Sequence, residues 1–192
     1  GGDEFGSKWH QDGVKDKKQN SYDDFIAASE YLIQQGYTSS DKLGIIGASN
    51  GGLLVSAVAM QKPDLFKAVA SMVPLTDMVR FCNSGIAERW VHEYGDPRKK
   101  SELETILKWS PYHNVKENNE YPNFLFTTAE QDTRVDPYHA RKMAASLQSV
   151  ENENDVFIYT DTKSGHGPGK PIYKVVESQA RILNFFTRYL GL

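Results

Sequence analysis

The chain is poor in several features, and each scarcity excludes a class of function. It carries one cysteine, Cys82, in 192 residues. No intrachain disulfide can form, no cysteine cluster can hold a metal, and a reducing compartment such as the cytoplasm suits it. No apolar run approaches the ~20 residues of a membrane span, and no secretory leader is visible. Positive charge is not in surplus: 22 basic against 25 acidic residues give a net charge of −3, so nothing argues for nucleic acid as a partner. The short mixed cluster Lys15-Asp16-Lys17-Lys18 reads as a solvated face. No pair of histidines has zinc-ligand helical spacing, so no metal is expected; no cofactor is expected either. Internal repeats, low-complexity segments and domain linkers are all lacking. There is no initiator methionine; the chain opens Gly1-Gly2 and is expected to be a piece of a longer protein. One domain over residues 1–192 is expected, and a 39% hydrophobic content is enough for a core.

Apolar runs and helical patterns alternate along the chain. Strands are expected at 43–46, 68–73, 124–128 and 156–159, each continuously apolar rather than alternating, which is the pattern of a parallel sheet covered on both faces. Ser21 is the expected cap of a helix, with Asp24 in the capping-box position and Phe25, Ile26, Ser29, Leu32 and Ile33 on its inner side. A short helix is expected over 102–109. Asp136 and Pro137 open a further helix lined by Ala140, Met143, Ala144 and Leu147. Pro171 opens the last, with the stripe Ile172, Val175, Val176, Ile182, Leu183 and Phe186. The fold class is therefore α/β.

The most informative segment is Gly47-Ala48-Ser49-Asn50-Gly51, between the first strand and the helix that follows it. Strand, sharp turn and helix with a serine at the turn is the context of a nucleophile elbow. Such a turn leaves little room for a Cβ two residues before and two after the serine, which explains glycine at 47 and 51. In parallel α/β sheets reactive groups gather beyond the carboxyl ends of the strands. Asp77 follows the second strand, Glu130, Asp132 and Asp136 the third, and Ser164-Gly165-His166-Gly167 the fourth. The order serine, acid, histidine is that of α/β-hydrolases. His166, on a glycine-flanked loop, is the best candidate base. His10, His92, His113 and His139 lack such a setting and read as ordinary surface or core residues. For the acid, spacing favours Asp132 over Asp77, with Asp136 a helix cap.

The motifs Gly47-Ala48-Ser49-Asn50-Gly51-Gly52, Trp90-Val91-His92-Glu93-Tyr94-Gly95-Asp96-Pro97, Asp132-Thr133-Arg134-Val135, Gly165-His166-Gly167 and Gly169-Lys170-Pro171, with the opening Gly1-Gly2-Asp3-Glu4-Phe5-Gly6 and Trp9-His10, closely resemble the catalytic domain of the prolyl oligopeptidases. The resemblance runs nearly end to end. It implies an α/β-hydrolase fold and a serine endopeptidase that cleaves short peptides after proline through an acyl-enzyme. It implies Ser49 as nucleophile, His166 as base, Asp132 as the acid, and the Asn50 N–H as an oxyanion donor. Trp90 is expected to stack on the substrate proline, with Tyr94, Ile86, Leu75 and Val135 completing an apolar pocket and Arg134 binding a substrate carbonyl. The family carries Gly where this chain has Ala48. The resemblance further implies a β-propeller, the first strands of the hydrolase sheet and a second oxyanion donor, a tyrosine, upstream of Gly1; without those strands a sheet edge is left exposed. Rival readings are a related oligopeptidase or esterase of other specificity, for which Glu88 or Glu93 could select basic residues, and a truncated, inactive hydrolase-like domain.

Overall fold

Four apolar runs form the four strands of one sheet: β1 (Gly44–Ala48), β2 (Ala68–Met72), β3 (Asn123–Ala129) and β4 (Val156–Asp161). All neighbours pair in parallel, in the order β1-β2-β3-β4, with Ile45 opposite Val69, Val69 opposite Phe124 and Phe126 opposite Ile158. The computed structural model of the chain describes residues 1–84, 86–151, 153–162, 165–166 and 171–192. Ser164, Gly167, Gly169 and Lys170 of the sequence motifs lie outside the described residues. The helices are α1 (Ser7–Gln11), α2 (Gln19–Gln34), α3 (Asn50–Gln61), α4 (Val91–Tyr94), α5 (Lys100–Trp109), α6 (Tyr138–Gln148) and α7 (Ile172–Leu190).

The sheet separates two apolar layers because side chains alternate along each strand. Val69, Phe124 and Phe126 point into the larger layer, with Leu53 and Val58 of α3, Met143 and Leu147 of α6, and Tyr22 and Ile26 of α2. Phe124 and Phe126 stack with centroids 5.1 Å apart. Ala68, Ala70 and Leu125 point the other way, against Ile182, Phe185 and Leu190 of α7. Each large side chain sealed in this way contributes on the order of 1.5–3 kcal/mol. The expected parallel sheet with helices on both faces is thus the observed one.

Three local expectations are corrected. Helix α2 begins at Gln19, so Ser21 and Asp24 lie inside it; Ser21 is buried and its hydroxyl donates to the Gly13 carbonyl at 3.4 Å. The α7 stripe is mostly exposed, with Ile172 at 77%, Val176 at 60% and Leu183 at 63%. These residues do lie on one apolar side of the helix, but among the described residues the sheet covers only the part of that side that carries Ile182, Phe185 and Leu190. Lys18, placed in a solvated cluster, is buried. The Asp136 carboxylate does cap α6, accepting from the Tyr138 N–H at 3.0 Å, and Ala140, Met143, Ala144 and Leu147 are all buried.

The β1–α3 turn is held by glycine at two places. A Cβ on Gly47 would lie 2.1 Å from the Gly51 carbonyl oxygen. On Gly52 it would lie 2.8 Å from Pro74 Cβ and 3.0 Å from the Met72 oxygen. On Gly51 it would meet nothing within 4 Å, so the tight position after the serine is the third residue rather than the second. Gly47→Ala is expected to lower the unfolding free energy by at least about 1–3 kcal/mol through overpacking. Gly51→Ala, in the first turn of α3, is expected to be neutral or stabilising by up to about 1 kcal/mol. Urea denaturation of the two variants checks both.

Candidate active site

Ser49 joins β1 to α3 with φ 57° and ψ −116°, a backbone conformation that costs a non-glycine residue on the order of 1–3 kcal/mol. Its N–H donates to the Met72 carbonyl at 2.9 Å, which ties the turn to the end of β2. The residue after it, Asn50, opens α3; as a first-turn N–H it has no intrahelical acceptor and points toward the positive end of the helix dipole.

Asp132 stands on the loop after β3 with its side chain fully buried. One carboxylate oxygen accepts the N–H groups of Arg134 and Val135, both at 2.9 Å. The other lies 2.6 Å from His166 Nδ1. A carboxylate can only accept, so the proton of that bond belongs to Nδ1 and the Nε2 lone pair is left free. Nε2 lies 3.1 Å from Ser49 Oγ. The three side chains come from the ends of three strands and form one hydrogen-bonded line. Such a line can accept a hydroxyl proton at Nε2 while the carboxylate stabilises the imidazolium.

Asp77, the other candidate acid, is buried in a different network. It is bound by Lys142 and by Arg80 at 3.0 Å, with His113 Nε2 at 3.7 Å. Burial alone would raise its pKa, but the Lys142 and Arg80 contacts outweigh that and hold it below the usual carboxylate value. His139, also buried, accepts the Thr76 and Asp77 N–H groups at Nδ1, at 3.2 and 3.1 Å. These bonds fix the loop after β2 that carries Leu75.

Beside Ser49 lies a cavity of about 210 Å³ lined by Ser49, Asn50, Leu75, Trp90, His92, Glu93, Tyr94 and Arg134. Tyr94 is 5% exposed, packs edge-on to Phe81 at 5.5 Å and donates from its hydroxyl to Asn50 Oδ1 at 2.9 Å. The Arg134 guanidinium lies 5.8 Å from the centre of the Trp90 ring. Larger cavities of about 340 and 350 Å³ exist elsewhere among the described residues, but none of the three side chains of the hydrogen-bonded line borders either of them.

The structure thus brings Leu75, Trp90, Tyr94 and Arg134 together at Ser49. Val135 is buried at 3% and Ile86 is 45% exposed; neither borders this cavity. His92, read as an ordinary histidine, does border it. Its position between Trp90 and Tyr94 in the Trp90–Tyr94 motif was the available signal. Glu93 borders the cavity too, with its carboxylate oxygens 2.6 Å from Lys18 Nζ and 3.0 Å from His10 Nε2. Glu88 lies on the surface, paired with Arg98 at 2.7 Å.

Residues 1–192 match the family described as "Prolyl oligopeptidase family". The chain belongs to the prolyl oligopeptidase family. It is 42% identical to a prolyl endopeptidase of Dictyostelium discoideum, an alignment that covers 100% of this chain and 26% of the relative. Its fold superposes on a post-proline cleaving enzyme from Rickettsia typhi with a TM-score of 0.97 and 40% identity, covering 100% of this chain and 28% of that one. Prolyl oligopeptidase B from Galerina marginata, bound to a 35mer hydrolysis and macrocyclization substrate, gives a TM-score of 0.95 and 39% identity over 100% of this chain and 27% of that one. The chain therefore spans about a quarter of the length of the relatives it matches. The parallel sheet and its helices are those of the α/β-hydrolase domain of this family.

Burial pushes His139 down to about 4, below the ordinary histidine value of 6.5. Between these values the unfolded chain binds the extra proton, so stability falls as pH drops from 6.5 toward 4, by up to about 3 kcal/mol. Asp77, depressed from 3.8, stabilises the fold above that pH, and its contribution is lost as pH falls through its lowered value. In urea titrations across pH, His139→Asn, whose Oδ1 can stand in for Nδ1 as acceptor, is expected to flatten the 6.5-to-4 slope and leave the lower limb.

Proposed function

We propose that this chain is the catalytic portion of a serine endopeptidase that cleaves short peptides on the carboxyl side of proline. The observation that carries the reading is the bonded line Ser49–His166–Asp132 beside an apolar, aromatic cavity. Ser49 Oγ attacks the carbonyl carbon of the proline residue and passes its proton to His166 Nε2. Asp132 holds the imidazole tautomer and balances the imidazolium charge. The tetrahedral oxyanion is met by the Asn50 N–H at the start of α3. Collapse breaks the peptide bond as His166 returns the proton to the leaving amine, and water then hydrolyses the Ser49 ester by the reverse proton path. The proline ring lies against Trp90, with Leu75 and Tyr94 around it, since a flat indole face suits a rigid pyrrolidine. Arg134 donates to a substrate carbonyl. Val135 and Ile86, which do not border the cavity, are left without a direct contact to the proline ring in this reading.

The relatives' names support this reading: a prolyl endopeptidase, a post-proline cleaving enzyme, and an oligopeptidase bound to a 35mer substrate. Selectivity for basic residues is disfavoured because the Glu93 oxygens already hold Lys18 and His10, and Glu88 holds Arg98. The reading includes no metal or cofactor. It assigns a second oxyanion donor, further sheet strands beyond β1 and a β-propeller to the intact enzyme, and places the enzyme in the cytoplasm, away from membranes and nucleic acid. Helices of the described residues are none of them long and apolar enough to cross a membrane.

Fluorophosphonate labelling tests the chemistry. Labelling at Ser49 is expected, suppressed by a proline-containing peptide and absent in Ser49→Ala. Asp132→Asn is expected to slow it by about 10³–10⁴-fold. Trp90→Ala should weaken competition by proline peptides more than competition by alanine peptides. A folded chain whose Ser49 does not label would overturn the reading for this chain.

A further inference from the structure

Lys15, Asp16 and Lys17 are exposed, yet Lys18 beside them has a side chain only 4% exposed. An ammonium is rarely sealed away unless it is paired. Its Nζ donates to Glu93 at 2.6 Å and stands 5.4 Å from the centre of the Tyr94 ring. Burial would raise the Glu93 pKa, but Lys18, with help from His10, holds the carboxyl below its ordinary value. Glu93 and Tyr94 belong to α4, which is a single turn closed by Gly95 at φ 93°. One helical turn is too short to hold itself. Its place depends on side chains from elsewhere, and those side chains lead toward the nucleophile: Lys18 to Glu93 and Tyr94, Tyr94 hydroxyl to Asn50, and Asn50 next to Ser49.

We propose that Lys18 is a positioning residue for the reaction described above: its buried ammonium clamps α4 so that Tyr94 holds the Asn50 side chain and keeps the proline cavity in register with Ser49. Lys18 touches no substrate in this arrangement and acts through Tyr94. The proposal rests on the post-proline reading of the cavity. It assigns to a residue far upstream of the site a part in specificity, beyond packing.

Lys18→Met keeps the length and apolar stem but removes the charge. Three readouts on this variant, with Lys18→Arg as the conservative rescue, separate the possibilities. The first is the ¹³C aromatic resonance of Tyr94, assigned with Tyr94→Phe. The second is the ratio of alanine-peptide to proline-peptide inhibition constants in competition against fluorophosphonate. The third is the uncompeted labelling rate of Ser49, since a small fluorophosphonate does not need the proline cavity. The proposal expects the Tyr94 resonance to move, the inhibition ratio to fall about tenfold, and labelling to stay within threefold, with Lys18→Arg restoring the first two in part. In the Tyr94→Phe background, Lys18→Met should add little further loss of selectivity, because the two changes break one path. An unmoved Tyr94 resonance, or an equal loss of labelling, selectivity and thermal stability, overturns the proposal and leaves Lys18 a general packing residue. A wild-type chain that labels but does not prefer proline, combined with a Tyr94 resonance that does respond to Lys18→Met, overturns the substrate reading and leaves the clamp standing.

Discussion

The bond from the Ser49 N–H to the Met72 carbonyl is the constraint on which the site depends. It draws the strained turn after β1 onto the end of β2, against the backbone conformation Ser49 would otherwise avoid. The approach is possible because Gly47 leaves room for the Gly51 carbonyl and Gly52 leaves room for Pro74. With the turn pinned there, Ser49 Oγ faces the loops after β3 and β4, from which Asp132 and His166 reach it. The same contact seats the Pro74–Leu75 segment over the start of α3, so one packing event sets both the serine and a wall of the cavity.

Around that point the polar groups divide between two buried systems that do not share a residue. Asp132 spends one oxygen on two backbone N–H groups and the other on His166, so its orientation is set from both sides. Asp77 occupies the equivalent place after β2 but is bound by Lys142 and Arg80, next to the His139 anchor of its loop. A buried carboxylate held by two cations gives rigidity to the loop that carries Leu75. Among the described residues no lysine or arginine is paired with the Asp132 carboxylate, which leaves its charge to the imidazole.

The sheet was legible in the sequence because its strands are short and continuously apolar, and all four fall within a few residues of their expected places; β2 and β3 are buried on both faces, whereas Ile46 of β1 and Phe157 and Ile158 of β4 stay exposed among the described residues. The serine turn was legible because strand, glycine and helix leave few other readings for that pentapeptide. Other features turn on tertiary context that a local pattern does not carry. Ser21 looks like a cap, yet the chain is already helical from Gln19. The apolar residues of α7 do form one side of the helix, but a local pattern does not say how much of it is covered, and among the described residues only Ile182, Phe185 and Leu190 are sealed against the sheet. Lys18 sits in a charged run and is buried because Glu93, distant in sequence, meets it. Trp90 and Tyr94 carry no signal of a cavity by themselves. Their place came from the family resemblance, and the structure sets them beside Ser49 through a single helical turn.

The most direct measurement is a crystal structure of the chain with a short peptide aldehyde ending in proline. The account predicts continuous density from Ser49 Oγ to the aldehyde carbon, the resulting oxygen within hydrogen-bonding distance of the Asn50 N–H, and the proline ring against Trp90. A covalent adduct with the ring outside that cavity would contradict the substrate assignment. An aldehyde that binds with His166 still bridging Ser49 and Asp132 but forms no bond to Ser49 would contradict the claim that this line of hydrogen bonds makes the serine a nucleophile.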